Sequence, residues 1–296
     1  PGTSADFVVG CRDGTWRVWA HRGDFTVITR EMLKPFRHTE RQDFFTVPGV
    51  MTLIDDLAKE PRLTLFLGAG ASVAQGLPNW NDLLTRLLMQ VSHHDRRFAN
   101  DVERGTWAGL ILQSFDSTAA GSVIKARARD GAFASHLHTA LYATADDLHV
   151  RQRGSDRFAR AVWNLILFRK EAGLETSVVT LNYDDELEAL FKKSASIRAH
   201  ADRVGISGVV SIHDEATYKE YPNSGSLFPV IHLHGFMPRE DWEKRRSQAF
   251  VLSSLDFSEP WETHWSQEVL DDRALDKWLM VGMSFQDSHV NSLLRR

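Results

Sequence analysis

From Arg62 onward the chain alternates between short apolar runs and stretches with helical periodicity. Arg62–Leu67 is an apolar run that stops at Gly68-Ala69-Gly70, as a strand buried on both faces would. After Pro78, apolar residues fall at Trp80, Leu83, Leu84, Leu87, Leu88 and Val91, steps of three and four that mark one face of an amphipathic helix. Strand, glycine turn and helix in that order open a nucleotide-binding α/β unit. Strand character returns at Ser177–Leu181, Phe228–Leu233, Ala249–Leu252 and Trp278–Val281, and helical signals follow at Asp185–Lys193 and Asp287–Arg295. Residues 95–175 read mainly as helices, among them Trp107–Phe115, Phe133–Tyr142 and Phe158–Lys170. That stretch is long for a crossover, so a helical insertion or lid over the sheet is expected. Residues 196–226 are weakly periodic and read as an irregular connection.

Before Arg62 the picture is different. Residues 1–50 form a β-rich segment ahead of a main domain over 51–296. Thr15–Ala20 and Phe25–Arg30 are β-prone runs, with His21-Arg22-Gly23-Asp24 as a candidate hairpin loop. Trp16 and Trp19 beside Arg12, Arg17 and Arg22 invite comparison with a base-stacking platform. A small hairpin packed on the main domain is the preferred reading, because a stacking platform carries a wider basic groove.

Composition narrows the classes. With 43% hydrophobic and 25% charged residues the balance is globular, and a net charge of −4 gives no whole-chain footprint for nucleic acid, which would enter only through a partner. No apolar run approaches a bilayer span and no export signal opens the chain, so a cytoplasmic protein is expected. Cys11 is the only cysteine, which excludes an internal disulfide and a four-cysteine zinc site. The chain starts at Pro1 without methionine and stops at Arg296 inside a helical pattern, as expected for a piece of a longer protein.

Four constellations carry candidate chemistry. Gly68-Ala69-Gly70-Ala71-Ser72, followed by Gly76-Leu77-Pro78, suits a tight turn that lets backbone amides approach a diphosphate. Val73 occupies the third position of the dinucleotide fingerprint, so a generic dehydrogenase is a poor match. In Thr180-Leu181-Asn182-Tyr183-Asp184 the polar residues are spaced by two and share a face if the strand persists. Asn182 is then placed to orient a ribose hydroxyl or a water; Asp184 could equally cap the next helix. His232 and His234 share a strand face. His234, directly before Gly235, is better placed for proton transfer, and His232 reads as a hydrogen-bonded core histidine. A metal site would need further ligands that the sequence does not offer, so none is expected. Gly282-Met283-Ser284, before a helix capped by Asp287, is a fourth strand-end turn able to touch a ribose or phosphate.

In this order the motifs resemble the sirtuin superfamily, over roughly residues 60–296. Gly68-Ala-Gly-Ala-Ser72 with Gly76-Leu-Pro78 is similar to its glycine signature, Thr180-Leu-Asn182-Tyr-Asp184 to its T-x-N-x-D motif, His234-Gly235 to its catalytic pair and Gly282-Met-Ser284 to its G-x-S turn. The resemblance implies an α/β, Rossmann-like parallel sheet flanked by helices. It also implies NAD as substrate, with Gly68, Ala69, Gly70, Ser72, Pro78, Thr180, Asp184, Gly282 and Ser284 around it. Asn182 and His234 would act on the nicotinamide ribose and the water. Sirtuin deacylases carry a four-cysteine zinc module and an Asp-Phe-Arg after the glycine turn; this chain has one cysteine and Asn79-Trp80-Asn81. The pattern is closer to bacterial sirtuin-like NADases of antiphage defence, which implies control by oligomer assembly, a sensor domain or a partner. An NAD-dependent deacylase or ADP-ribosyltransferase, and a non-catalytic NAD or ADP-ribose sensor, are the alternative expectations.

Overall fold

The computed structural model describes residues 7–12, 15–20 and 56–283, apart from breaks at 58, 74, 129–131, 148–155, 222–224, 246–247, 254–255 and 257–263. The sheet runs in the order β2-β1-β7-β3-β4-β6-β5. Five consecutive strands, β7 (Lys277–Val281), β3 (Arg62–Leu67), β4 (Glu175–Thr180), β6 (Leu227–His232) and the edge strand β5 (Gly208–Ile212), are all parallel. Helices flank them, so the fold is the α/β, Rossmann-like arrangement expected. At one edge β1 (Phe7–Arg12) runs parallel to β7 and pairs antiparallel with β2 (Thr15–Ala20). The described partner of Thr15–Ala20 is therefore Phe7–Arg12; Phe25–Arg30 lies outside the described residues.

Both faces of the inner strands are covered, which is why β3 and β6 read as nearly continuous apolar runs. Leu63, Leu65, Leu67, Val178 and Val230 pack on one face against α6 (Arg157–Glu171), α7 (Glu186–Lys193) and α8 (Ala195–Arg203), where Trp163 is fully buried. Phe66, Val179, Ile231 and Met280 pack on the other, with Trp265, Val269 and Leu270 of α10 (His264–Asp271). A separate core joins α2 (Trp80–Val91), α3 (Asp101–Ser114), α4 (Ser117–Arg127) and α5 (Phe133–Asp147). It includes Tyr183, Met237, Phe250 and Leu252, so these helices rest on the loops that leave β4 and β6. Within residues 95–175, then, α3 to α5 cover the loop end of the sheet while α6 packs on its face.

Two local readings are corrected. Residues 196–226 are not irregular: they hold α8, strand β5 and the short helix α9 (Glu215–Glu220), the last closed by an Asp214–Thr217 capping box. β5 is an edge strand, mostly half-exposed, and too short to show the apolar run that marks its neighbours. Ala249–Leu252, in turn, joins no ladder. It is an extended strap in which Val251 N–H donates to the His234 carbonyl (3.0 Å), and the Gly121 backbone of α4 packs directly on Leu252.

Candidate active site

One row of the sheet brings the four motifs together. Val281, Leu67, Thr180 and His232 are successive register partners across β7, β3, β4 and β6. The chain leaves this row through Gly282, Gly68, Asn182 and His234, at the carboxyl ends of the strands where open α/β sheets bind ligands. From β3 the chain next visits β4 on one side and later reaches β7 on the other, so the topology switches direction at the glycine loop.

The glycines first serve that close packing. A Cβ on Gly70 would lie 2.9 Å from the Gly282 Cα, and one on Gly282 only 2.2 Å from the Ala71 nitrogen. Gly282 also sits at φ +72°, where an L side chain is strained. Gly68 N–H donates to the Val281 carbonyl (2.9 Å) and Gly70 N–H to the Gly282 carbonyl (3.0 Å), so two strand-end loops interlock main chain to main chain. Ala71 and Ser72 donate back to Gly68 and Ala69, with the turn Gly70–Val73 (α1) following. Pro78 is buried just before Asn79, which caps α2 by accepting from Asp82 N–H. Ser284 and the helix expected at Asp287–Arg295 lie outside the described residues.

Asn182 is fixed through both its backbone and its amide. Its N–H donates to Thr180 Oγ1 (2.9 Å), and its Nδ2 donates to the Gly68 carbonyl (3.0 Å) and to Ser72 Oγ (3.0 Å). A carbonyl can only accept, so the amide orientation is determined and Oδ1 is the end turned away from Gly68. Ser72 passes the chain on by donating to Asp184 Oδ2 (2.8 Å), while Asp184 Oδ1 accepts from Glu186 N–H at 3.3 Å. Thr180, Asn182 and Asp184 do converge, although the strand itself ends at Thr180; with Ser72 and His232 they form part of the polar lining of a small cavity of about 20 Å³ that Leu67, Phe158 and Leu187 also line. On either side of Asn182 the loop is anchored: Tyr183 O–H donates to the Val251 carbonyl (2.5 Å), and Met237 N–H to the Tyr183 carbonyl (2.7 Å).

Burial pushes the Asp184 carboxyl up to about 7; the nearby Glu186 charge adds to this, and the Ser72 hydrogen bond opposes it. Between the ordinary carboxylate value, about 4, and 7, the folded chain keeps a proton that the unfolded chain has released. Stability from this group is therefore fully present below about pH 4, falls as pH rises to about 7 and is flat above. Asp184→Asn, neutral at every pH, should show a smaller loss of urea midpoint between pH 5 and 8 than the wild type. Equal losses in the two proteins would contradict this assignment.

His232 and His234 behave differently. His232 is 1% exposed, with Nδ1 3.0 Å from the Asn182 carbonyl and Nε2 2.9 Å from Glu188 Oε1. Glu188, on α7, also accepts from Ser211 Oγ at 2.8 Å. His234 is buried in the turn beyond β6, before Gly235 at φ +104°. Next along this loop, Arg239 pairs with Glu186, donates its N–H to Asp185 Oδ2 (2.9 Å) and lies over the Tyr142 ring, tying α5 to the start of α7. Glu188 and Ser211 had no place in the sequence reading. The available signal was a carboxylate beside the apolar Leu187, Leu190 and Phe191 of α7, facing a strand with a histidine in an apolar run. Among the described residues no group of three or more His, Cys, Asp or Glu could hold a metal ion.

Residues 176–296 match the family model of the SIR2-like domain. The match supports a sirtuin-like family, and a SIR2-like domain fits NAD-related chemistry. Asn182, Asp184, His232, His234 and Gly282 lie inside the matched segment, and the glycine loop at 68–72 lies before it. The hydrogen bonds from Asn182 to Gly68 and Ser72, with those from Gly68 to Val281, Gly70 to Gly282 and Ser72 to Asp184, thus join the SIR2-like segment to the loop preceding it. No curated protein matches the chain. No helix among the described residues is long and apolar enough to cross a membrane.

Proposed function

We propose that the chain is an NAD glycohydrolase that converts NAD and water to nicotinamide and ADP-ribose. The observation that carries this reading is the Asn182 amide, locked through Nδ2 between Gly68 and Ser72 at the strand ends, with Oδ1 on the opposite side of the amide from these partners. An amide so held can accept from a ribose hydroxyl or from water without titrating, as positioning of an attacking water requires. In the proposed reaction the bond from the ribose C1′ to the nicotinamide nitrogen breaks and its electron pair leaves with nicotinamide. Water adds to C1′, with His234 taking its proton as general base. The main-chain turns of Gly68–Gly70 and Gly282 would approach the diphosphate and ribose, and Ser284 belongs to the same proposed set.

The finer biological role is part of the proposal: an antiphage-defence effector that depletes NAD under control of self-assembly or of a sensor. A free NADase would be toxic, which favours such control. In this reading the core of α2 to α5, which packs on the Tyr183 and Phe250 loops, would transmit it. The discriminating experiment against a deacylase adds an acetyl-lysine peptide to the NAD reaction. Nicotinamide release that does not depend on the peptide, and that falls in His234→Ala, is expected. Release that requires the peptide would replace the hydrolase with an acyl-transfer enzyme.

A further inference from the structure

The proposed reaction uses Asn182 and His234 and leaves the buried His232–Glu188 pair without a part. Both ring nitrogens of His232 face acceptors: a main-chain carbonyl at Nδ1 and a carboxylate at Nε2. A neutral imidazole has one N–H, so one of these contacts would set lone pair against lone pair. With both nitrogens protonated each contact is a charge-assisted hydrogen bond, and the ring is a cation paired with Glu188. The remaining charged and titratable neighbours agree with this. Asp184, on the loop after β4, favours the cation, and His213, after β5, is held neutral, pushed down to about 4 by burial and then by Arg245. Burial, the largest single influence, would lower the basicity of His232, yet Glu188, the Asn182 carbonyl and Asp184 together outweigh it and the ring is more basic than an ordinary histidine.

An ion pair that is 1% and 5% exposed is a poor device for stability, because desolvation offsets most of the attraction. What this pair does grip is specific: the carbonyl of Asn182, whose N–H is already held by Thr180 and whose amide is held by Gly68 and Ser72. We propose that His232 is a positioning residue for Asn182, a buried cation kept in place by Glu188 and Ser211 that fixes the Asn182 peptide and, through it, the direction of the Asn182 amide. The catalytic consequence rests on the NAD reading given above; the charge and the grip do not.

The test uses the full chain, labelled with ¹⁵N in its histidine rings and ¹³C at asparagine carbonyls, with His232→Gln and Asn182→Ala to assign the two signals. At pH 7.5 the His232 ring should show two protonated nitrogens. Glu188→Gln should turn it neutral, shift the Asn182 carbonyl resonance and lower kcat for NAD at least tenfold, with KM changed less than about threefold. Ser211→Ala, a milder change, should move the same three readouts in the same direction and serves if Glu188→Gln fails to fold. A neutral ring in the wild type, or an Asn182 carbonyl that ignores both substitutions, overturns the proposal, as does an unchanged kcat in a chain that cleaves NAD. Should no preparation cleave NAD, the proposed function falls instead, and the ring and carbonyl signals alone decide whether His232 holds Asn182.

Discussion

Asn182→Ala is expected to lower kcat for NAD cleavage by about 10²–10³, the range seen when one preorganised polar group is removed from a site. Alanine deletes Oδ1, and it also deletes the donor shared by the Gly68 carbonyl and Ser72 Oγ. The second loss loosens the glycine loop relative to β4, so a structural cost of about 1–3 kcal/mol is expected beside the catalytic one. Asn182→Asp separates the contributions. It keeps the shape, cannot donate to the Gly68 carbonyl, and adds a charge separated from Asp184 only by the Ser72 hydroxyl, two hydrogen bonds away. Aspartate should therefore be no better than alanine. Steady-state kinetics over a range of NAD concentrations give the loss as a ratio of kcat/KM values. Activity within tenfold of wild type in Asn182→Ala would remove Asn182 from the centre of the site.

The second large effect is expected at Gly282. A Cβ there would lie 2.2 Å from the Ala71 nitrogen, 2.7 Å from the Gly70 carbonyl carbon and 3.0 Å from the Gly68 oxygen. These are main-chain atoms, with no rotamer to give way. Alanine at φ +72° adds about 1–2 kcal/mol of backbone strain. Displacing the loop breaks the bonds from Gly68 and Gly70 to Val281 and Gly282, each contributing about 0.5–1.5 kcal/mol. Gly282→Ala should thus cost more than about 3 kcal/mol in a urea titration, with loss of NAD binding. Two other glycines calibrate the claim. Gly76 has φ +87° but nothing within 4 Å of its Cβ position, so alanine there should cost only the strain. Gly105, within α3 and also open, should tolerate alanine or gain about 0.5–1 kcal/mol. If Gly282→Ala were no worse than Gly76→Ala, the interlocked loops would not be essential to the site.

The sequence pattern located β3, α2, β4, β6 and β7 because each has a run rich in apolar or β-branched residues or a clear helical stripe. β5 escaped notice since Gly208–Ile212 is an edge strand, half-exposed along most of its length. Ala249–Leu252 misled for the opposite reason: Phe250, Val251 and Leu252 are buried and apolar, yet the stretch bonds to a turn and to tyrosine rather than to a strand. The residues around Asn182 were legible as strand-end polar groups. Part of the reason for the glycines was not, since what Gly68 and Gly70 leave room for is the Gly282 turn more than 200 residues away, a contact no local pattern reveals. Glu188 was hidden for a related cause. A buried acid is recognisable only once its partners, His232 and Ser211, are brought beside it by the order of β5 and β6.

The central claim is that this row of strand ends cleaves NAD, and a product balance tests it most directly. The full chain, alone and together with whatever assembly or trigger activates it, is incubated with NAD, and nicotinamide and ADP-ribose are quantified beside Asn182→Ala and His234→Ala. Equal amounts of the two products are expected from the wild type and strongly reduced amounts from both variants. NAD left intact by every activated preparation, or cleaved equally well by the variants, would contradict it.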